Sequence, residues 1–265
     1  MDCRVKPGND RARAVSNRTE REDFVSMSVI KSSRDGAVAT ITLDRASEGN
    51  LLTVDMVREL TAAMRSAAAS DAKVIVLRGN GADFCRGRDP KNTAPSPTAM
   101  KMRANVCEPI LDYYDAVAAA RQPVVAAVQG SAFGFGCAIA GCSDVTIAAD
   151  NARFKLPEMS HDLPPTLAIS ALMPRTPRKA LTWMVYSMEE VDAATAVQLG
   201  IASQVVPVAG LDAAVCKLAS TMTARSPEAL VAVKDFFRAA SHMEPRGVAD
   251  YAANLLASVL SSAGR

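Results

Sequence analysis

The chain has 265 residues, 49% of them hydrophobic, with 30 Lys and Arg against 28 Asp and Glu. That apolar content supports a sizeable core and excludes global disorder, and a formal charge of +2 lacks the basic excess of a nucleic-acid binder. Aromatics at 5% argue against a base-stacking platform, and length alone leaves one large domain or two small ones open.

Residues 1–26 carry six basic and five acidic side chains and almost no apolar pattern. Such a segment cannot offset its ordering entropy by burial, so a disordered tail, or a true start at Met27, is expected. It has no apolar stretch of the secretory kind, and its acids argue against a mitochondrial presequence. From Met27 the pattern becomes that of an alternating α/β protein. AVATITLD (37–44) reads as a strand, and TVDMVRELTAAMRSAAAS (53–70) as a helix capped by Thr53, with Val54, Val57, Leu60 and Met64 on one face. KVIVLRG (73–79) suits a strand covered on both faces. A polar loop (89–97) leads to a helix over about 98–121. PVVAAVQG (123–130), DVTIAAD (144–150), ARFKLP (152–157) and QVVP (204–207) add strands. Helices are expected over 211–224, 227–240 and 245–261, the first helix-only stretch of the chain.

Gln122 to Ser143 is free of charge and long enough to span a bilayer. It is built from Ala, Gly, Val and Ser without aromatic belts, which suits a buried strand, turn and helix, so no membrane partner is expected. The six cysteines show no zinc-ligand spacing and there are only two histidines, which reads as reduced thiols in a cytoplasmic protein without a metal site.

Three segments carry possible chemistry. In QGSAFGFGCAIAG (129–141), glycines follow a strand and open a helix, where backbone N–H groups can face an anion. The spacing is neither the dinucleotide GxGxxG nor a phosphate loop, and close helix–strand packing alone would also explain it. GADFCRGRD (81–89) places Gly87 at a strand's carboxyl end, although an ordinary turn with solvated arginines reads the same way. LPEMSHDLPP (156–165) gathers Glu158, His161 and Asp162 in an apolar setting, where a carboxylate could be desolvated into a general base; a solvated or capping glutamate is the plainer alternative.

In order and spacing these segments, with NLLTVDMVREL (50–60) and AATAVQLGIASQVVP (193–207), resemble the crotonase superfamily of enoyl-CoA hydratases and isomerases, over about residues 28–240. The resemblance implies an α/β fold, a crotonase-like spiral of ββα units over 27–207, with a helical region at 208–265 for trimerisation. It implies an acyl-CoA thioester substrate, no cofactor beyond that coenzyme A, and a homotrimer or dimer of trimers. Carried over by position, the oxyanion hole maps to the backbone N–H groups of Arg86 and Phe135. CoA-cradling stretches map to Asn50, Leu51, Leu52, Arg88, Asp89 and Lys91.

The departures from the family pattern bear on the reaction. Hydratases of the family use two glutamates twenty residues apart. The second maps onto Glu158 and the first onto Ala138, which can neither orient water nor carry a proton. A single carboxylate suffices to move a double bond, so enoyl-CoA isomerisation with Glu158 as the one acid/base is expected first. Hydration by Glu158 with Asp162 or His161 is the alternative, and a non-catalytic acyl-CoA-binding trimer the rival of another class. Asp144 reads as a structural strand-start acid. No glycine occurs from Phe154 through Gln198, where the family has a glycine-rich acyl-pocket loop, and the family's usual tail is missing after Arg265. Unusual acyl preference and altered CoA contacts are expected from these two differences.

Overall fold

The computed structural model describes residues 28–89, 91 and 98–262; the charged segment 1–26 lies outside them. A hairpin opens the fold, β1 (Ile30–Asp35) and β2 (Val38–Leu43), followed by α1 (Val54–Ala69) and β3 (Val74–Gly79). Next come α2 (Ala99–Met102), a five-residue π turn and α3 (Glu108–Ala119), then β4 (Val124–Val128), β5 (Ser131–Phe133) and α4 (Phe135–Gly141). After β6 (Val145–Ala149) and β7 (Arg153–Lys155) the chain makes a 3-10 turn at Glu158–His161. Then follow α5 (Thr166–Leu172), α6 (Arg178–Ser187), β8 (Val191–Asp192), α7 (Ala193–Gln198) and β9 (Gln204–Val206). Three helices close the fold: α8 (Leu211–Thr223), α9 (Pro227–Ala240) and α10 (Pro245–Ser262).

The chain alternates between two sheets. One has the order β1-β2-β3-β4-β6-β9, parallel apart from the opening hairpin; the other has the order β5-β7-β8. β4 feeds β5 and β6 feeds β7, so successive turns of chain add a strand to each sheet and generate the spiral. Isolated parallel bridges, Leu52 with Arg88 and Cys85 with Ala132, extend the smaller sheet across the turns.

Strand side chains alternate between faces, and the two cores follow that alternation. Ile75, Leu77, Ala126 and Val128 pack under α1 and α3, against Val57, Leu60, Met64, Ile110 and Tyr113. Val74, Val76, Val125 and Ala127 face the other way, onto Leu211 and Val215 of α8. This double coverage is why β3 and β4 read as continuous apolar runs. Thr53 caps α1 by accepting from the Met56 N–H at 3.3 Å. The uncharged stretch 122–143 is β4, β5 and α4, nearly all buried, and among the described residues no helix is long and apolar enough to cross a membrane.

One buried cation fastens the last helices. Lys234 of α9 places its ammonium 2.8 Å from Asp144 Oδ2 and donates to the carbonyls of Val117 and Gln122 at 3.0 and 2.9 Å. Asp144 also accepts the Val124 N–H at 2.8 Å, so it ties the starts of β4 and β6 to α9, the structural part read for it above. Beyond this anchor, α9 and α10 leave Val233, Phe237, Leu256 and Leu260 well exposed. Val233, Phe237 and Leu256 border an apolar groove of about 450 Å³ between the two helices.

Candidate active site

The site forms where two turns of the spiral press together. Cys85 pairs with β5, donating its N–H to Ser131 O at 2.9 Å and accepting from Phe133 N at 3.0 Å. The FCRGRD strand thus lies directly against the start of α4. A Cβ on Gly136 would fall 2.0 Å from Cys85 O, so only glycine admits this approach. Gly134, at φ +51°, carries the chain from β5 into α4 in a conformation that L side chains resist.

The amides differ from expectation in one respect. Phe135 opens α4, and its N–H is among the first-turn donors that helix geometry leaves without an intrahelical acceptor. The Arg86 N–H, expected as the second donor, is instead committed to Gly49 O at 2.9 Å. The next peptide but one is turned the other way. Gly87 O accepts from Leu52 N at 3.0 Å, and across a trans peptide N–H and C=O point in opposite directions. The Arg88 N–H therefore faces the side on which β5 runs. A Cβ on Gly87 would lie 3.0 Å from Phe133 O and 3.9 Å from Phe135 N, so this peptide and the opening of α4 are neighbours. The register of the Leu52–Arg88 bridge decides which amide points inward, and that register is invisible in the sequence.

Glu158 begins the 3-10 turn after β7 and Pro157. Its Oε1 lies 2.8 Å from the position a Gly134 Cβ would occupy, which sets the carboxylate against the opening of α4. Its Oε2 is buried with no hydrogen-bond partner among the described residues, and leaving such an acceptor unpaired costs about 1–3 kcal/mol. Burial raises the carboxyl above the ordinary glutamate value, opposed only by a bond from its own backbone N–H. A desolvated carboxylate with one oxygen unpaired, beside outward backbone donors, is an arrangement able to exchange a proton with a substrate carbon.

An aromatic cluster, not anticipated from sequence, walls this corner. Phe135 packs edge-on against Tyr113 with ring centroids 5.9 Å apart and lies 6.0 Å from Tyr114. Tyr113 is fully buried, whereas Tyr114 is half-buried and close enough to Glu158 for that charge to raise its phenol further above its ordinary range, after burial and Cys142. The adjacent pair of tyrosines on a helix was the available signal, since consecutive helical residues face about 100° apart and only one can enter the core.

The other expected residues fall into separate groups. Asn50 is fully buried; it accepts the Arg45 N–H and donates to Asn80 O and Asp83 O, which employs its side chain in the scaffold. Asp89, expected to meet CoA, is 2% exposed and bound to Arg45 at 2.8 Å, and that guanidinium holds its carboxyl below the usual range. Leu52 is buried and Leu51 half-buried, while Lys91 is exposed and Arg88 half-exposed. Ala138 is fully buried in the core, and His161 and Asp162 both face solvent, Asp162 in the left-handed conformation that ends the 3-10 turn.

The family described as enoyl-CoA hydratase/isomerase matches residues 33–264. The 2,3-dehydroadipyl-CoA hydratase of Escherichia coli is 34% identical over 214 residues, covering 80% of this chain and 82% of that protein. Among solved structures, an enoyl-CoA hydratase of Mycobacterium smegmatis superposes with a TM-score of 0.83 at 26% identity, covering 88% of this chain and 91% of that one. A Thermobifida fusca protein solved in complex with CoA gives a TM-score of 0.79 at 26% identity, covering 89% and 95%. The chain belongs to the enoyl-CoA hydratase/isomerase family and has the crotonase fold.

Proposed function

We propose that this protein moves the double bond of an enoyl-CoA thioester, with Glu158 as the single acid/base of that migration. The observation that carries the reading is the half-buried carboxylate, Oε2 unbonded, set against the Gly134–Phe135 turn, with an inert, buried alanine at position 138. Glu158 takes a proton from C2 of a 3-enoyl thioester, and the electron pair moves onto the thioester oxygen as an enolate. That oxygen rests between the N–H groups of Phe135 and Arg88, each such donor contributing roughly 3–4 kcal/mol. The protonated Glu158 then delivers the same proton to C4, leaving the 2-enoyl thioester and a regenerated carboxylate. The acyl-CoA substrate is supported by family membership and by the CoA held in the Thermobifida relative.

The test presents the protein with 3-enoyl- and 2-enoyl-CoA of one chain length. Interconversion of the two supports the reading; tight binding with no turnover of either contradicts it and favours an acyl-CoA-binding scaffold. The apolar groove on α9 and α10 supports a homotrimer or dimer of trimers built through these helices. Light scattering should give three or six chain masses, and a single-chain mass would contradict the assembly.

A further inference from the structure

One polar group beside Glu158 takes no part in double-bond migration. Tyr114 projects from α3 onto Phe135, the residue whose N–H is assigned to the enolate oxygen, with centroids 6.0 Å apart and planes tilted by 38°. Its hydroxyl makes no hydrogen bond among the described residues, and its side chain is half-buried. Burial and the Glu158 charge keep the phenol protonated at any working pH. The corner thus holds an unpaired acceptor, Glu158 Oε2, on the residue set against the Gly134–Phe135 turn, and a phenol without a hydrogen bond, Tyr114 Oη, on the residue packed beside the Phe135 ring. The other candidates for a second proton-handling group are placed elsewhere: Ala138 is inert, and His161 and Asp162 point to solvent.

We propose that Tyr114 is a second catalytic residue, the proton donor that lets this site also add water to a 2-enoyl thioester; the proposal rests on Glu158 being the base. Water attacks C3 as its proton passes to the Glu158 carboxylate, and the double-bond electrons move onto the thioester oxygen. Tyr114 O–H protonates C2, collapsing the enolate to the 3-hydroxyacyl thioester. The phenolate then recovers a proton from the Glu158 carboxyl, a downhill transfer because a phenol is the weaker acid. One water is consumed, and both residues return to their starting states.

The experiment measures, on wild type, Tyr114→Phe, Tyr113→Phe and Glu158→Gln, the hydration of a 2-enoyl-CoA and the exchange of C2 protons of a saturated acyl-CoA with D2O. Wild type and Tyr113→Phe should hydrate alike, since the Tyr113 hydroxyl is sealed in the core. Tyr114→Phe should lose hydration by about 100-fold or more, the usual range for a missing general acid, while exchange falls by less than tenfold. Tyr114→Phe hydrating like wild type, or wild type exchanging protons without hydrating, would overturn the assignment of Tyr114. Exchange undiminished in Glu158→Gln would instead overturn the reading of the base beneath it, so the two failures are distinguishable.

Discussion

Glu158→Gln is expected to lower turnover of an enoyl-CoA by about 100- to 10,000-fold, the range for a lost general base, with acyl-CoA binding retained. Glutamine keeps the shape that fits against Gly134 but cannot accept a proton. In the wild type, kcat/KM should fall as pH drops through a value above the ordinary glutamate pKa of 4.5, because desolvation raises this carboxyl and only its ionised form is a base. The same shift has a sign for stability. A carboxyl whose folded-state pKa is raised favours the protonated fold, so its stabilising contribution is complete at low pH and lost as pH rises through that value. At neutral pH the glutamine variant should therefore melt at the same temperature or higher, measured by calorimetry. A variant that is both inactive and markedly less stable would mean that the carboxylate supports structure and not chemistry.

Gly136→Ala should have an equally large effect by a different route. The added methyl would lie 2.0 Å from Cys85 O, 2.8 Å from Cys85 C and 3.0 Å from Cys85 Cβ. Backbone atoms cannot rotate away, so α4 and the FCRGRD strand must separate. Overpacking commonly costs about 1–3 kcal/mol, and this contact belongs at or above the upper end. Because these two segments carry the Phe135 and Arg88 amides, activity should collapse even in the fraction that remains folded. A denaturant titration checks stability, and kcat on the soluble variant checks the site. Wild-type stability and rate together would show that the two turns are not packed as described.

The elements legible in advance were those with a side-chain pattern. The burial of β3 and β4 on both faces, the spacing of α1 and its Thr53 cap all leave periodic signals that need no tertiary context. β1 did not, because IKSSRD buries only Ile30 and is held by backbone pairing with β2. β5 and β8 are two or three residues long and exist only because neighbouring strands present matching edges. The site divides the same way. Glu158 and the turn around Phe135 were legible from residue type and order, whereas the choice between the Arg86 and Arg88 amides depends on one bridge register. Asn50 and Asp89 look like surface ligands in sequence, yet Arg45 draws both inward; a pairing of residues 44 positions apart leaves no local trace. Tyr114 became visible only once α3 was packed against Phe135 at the start of α4.

NMR in D2O follows C2 of a saturated acyl-CoA, with wild type and Glu158→Gln side by side. Removal of a C2 proton by Glu158, with the enolate held by the Phe135 and Arg88 amides, requires deuterium to enter at C2 with wild type and the rate to fall at least 100-fold in the variant. No exchange with wild type while the thioester is bound, or equal exchange in both proteins, would contradict it.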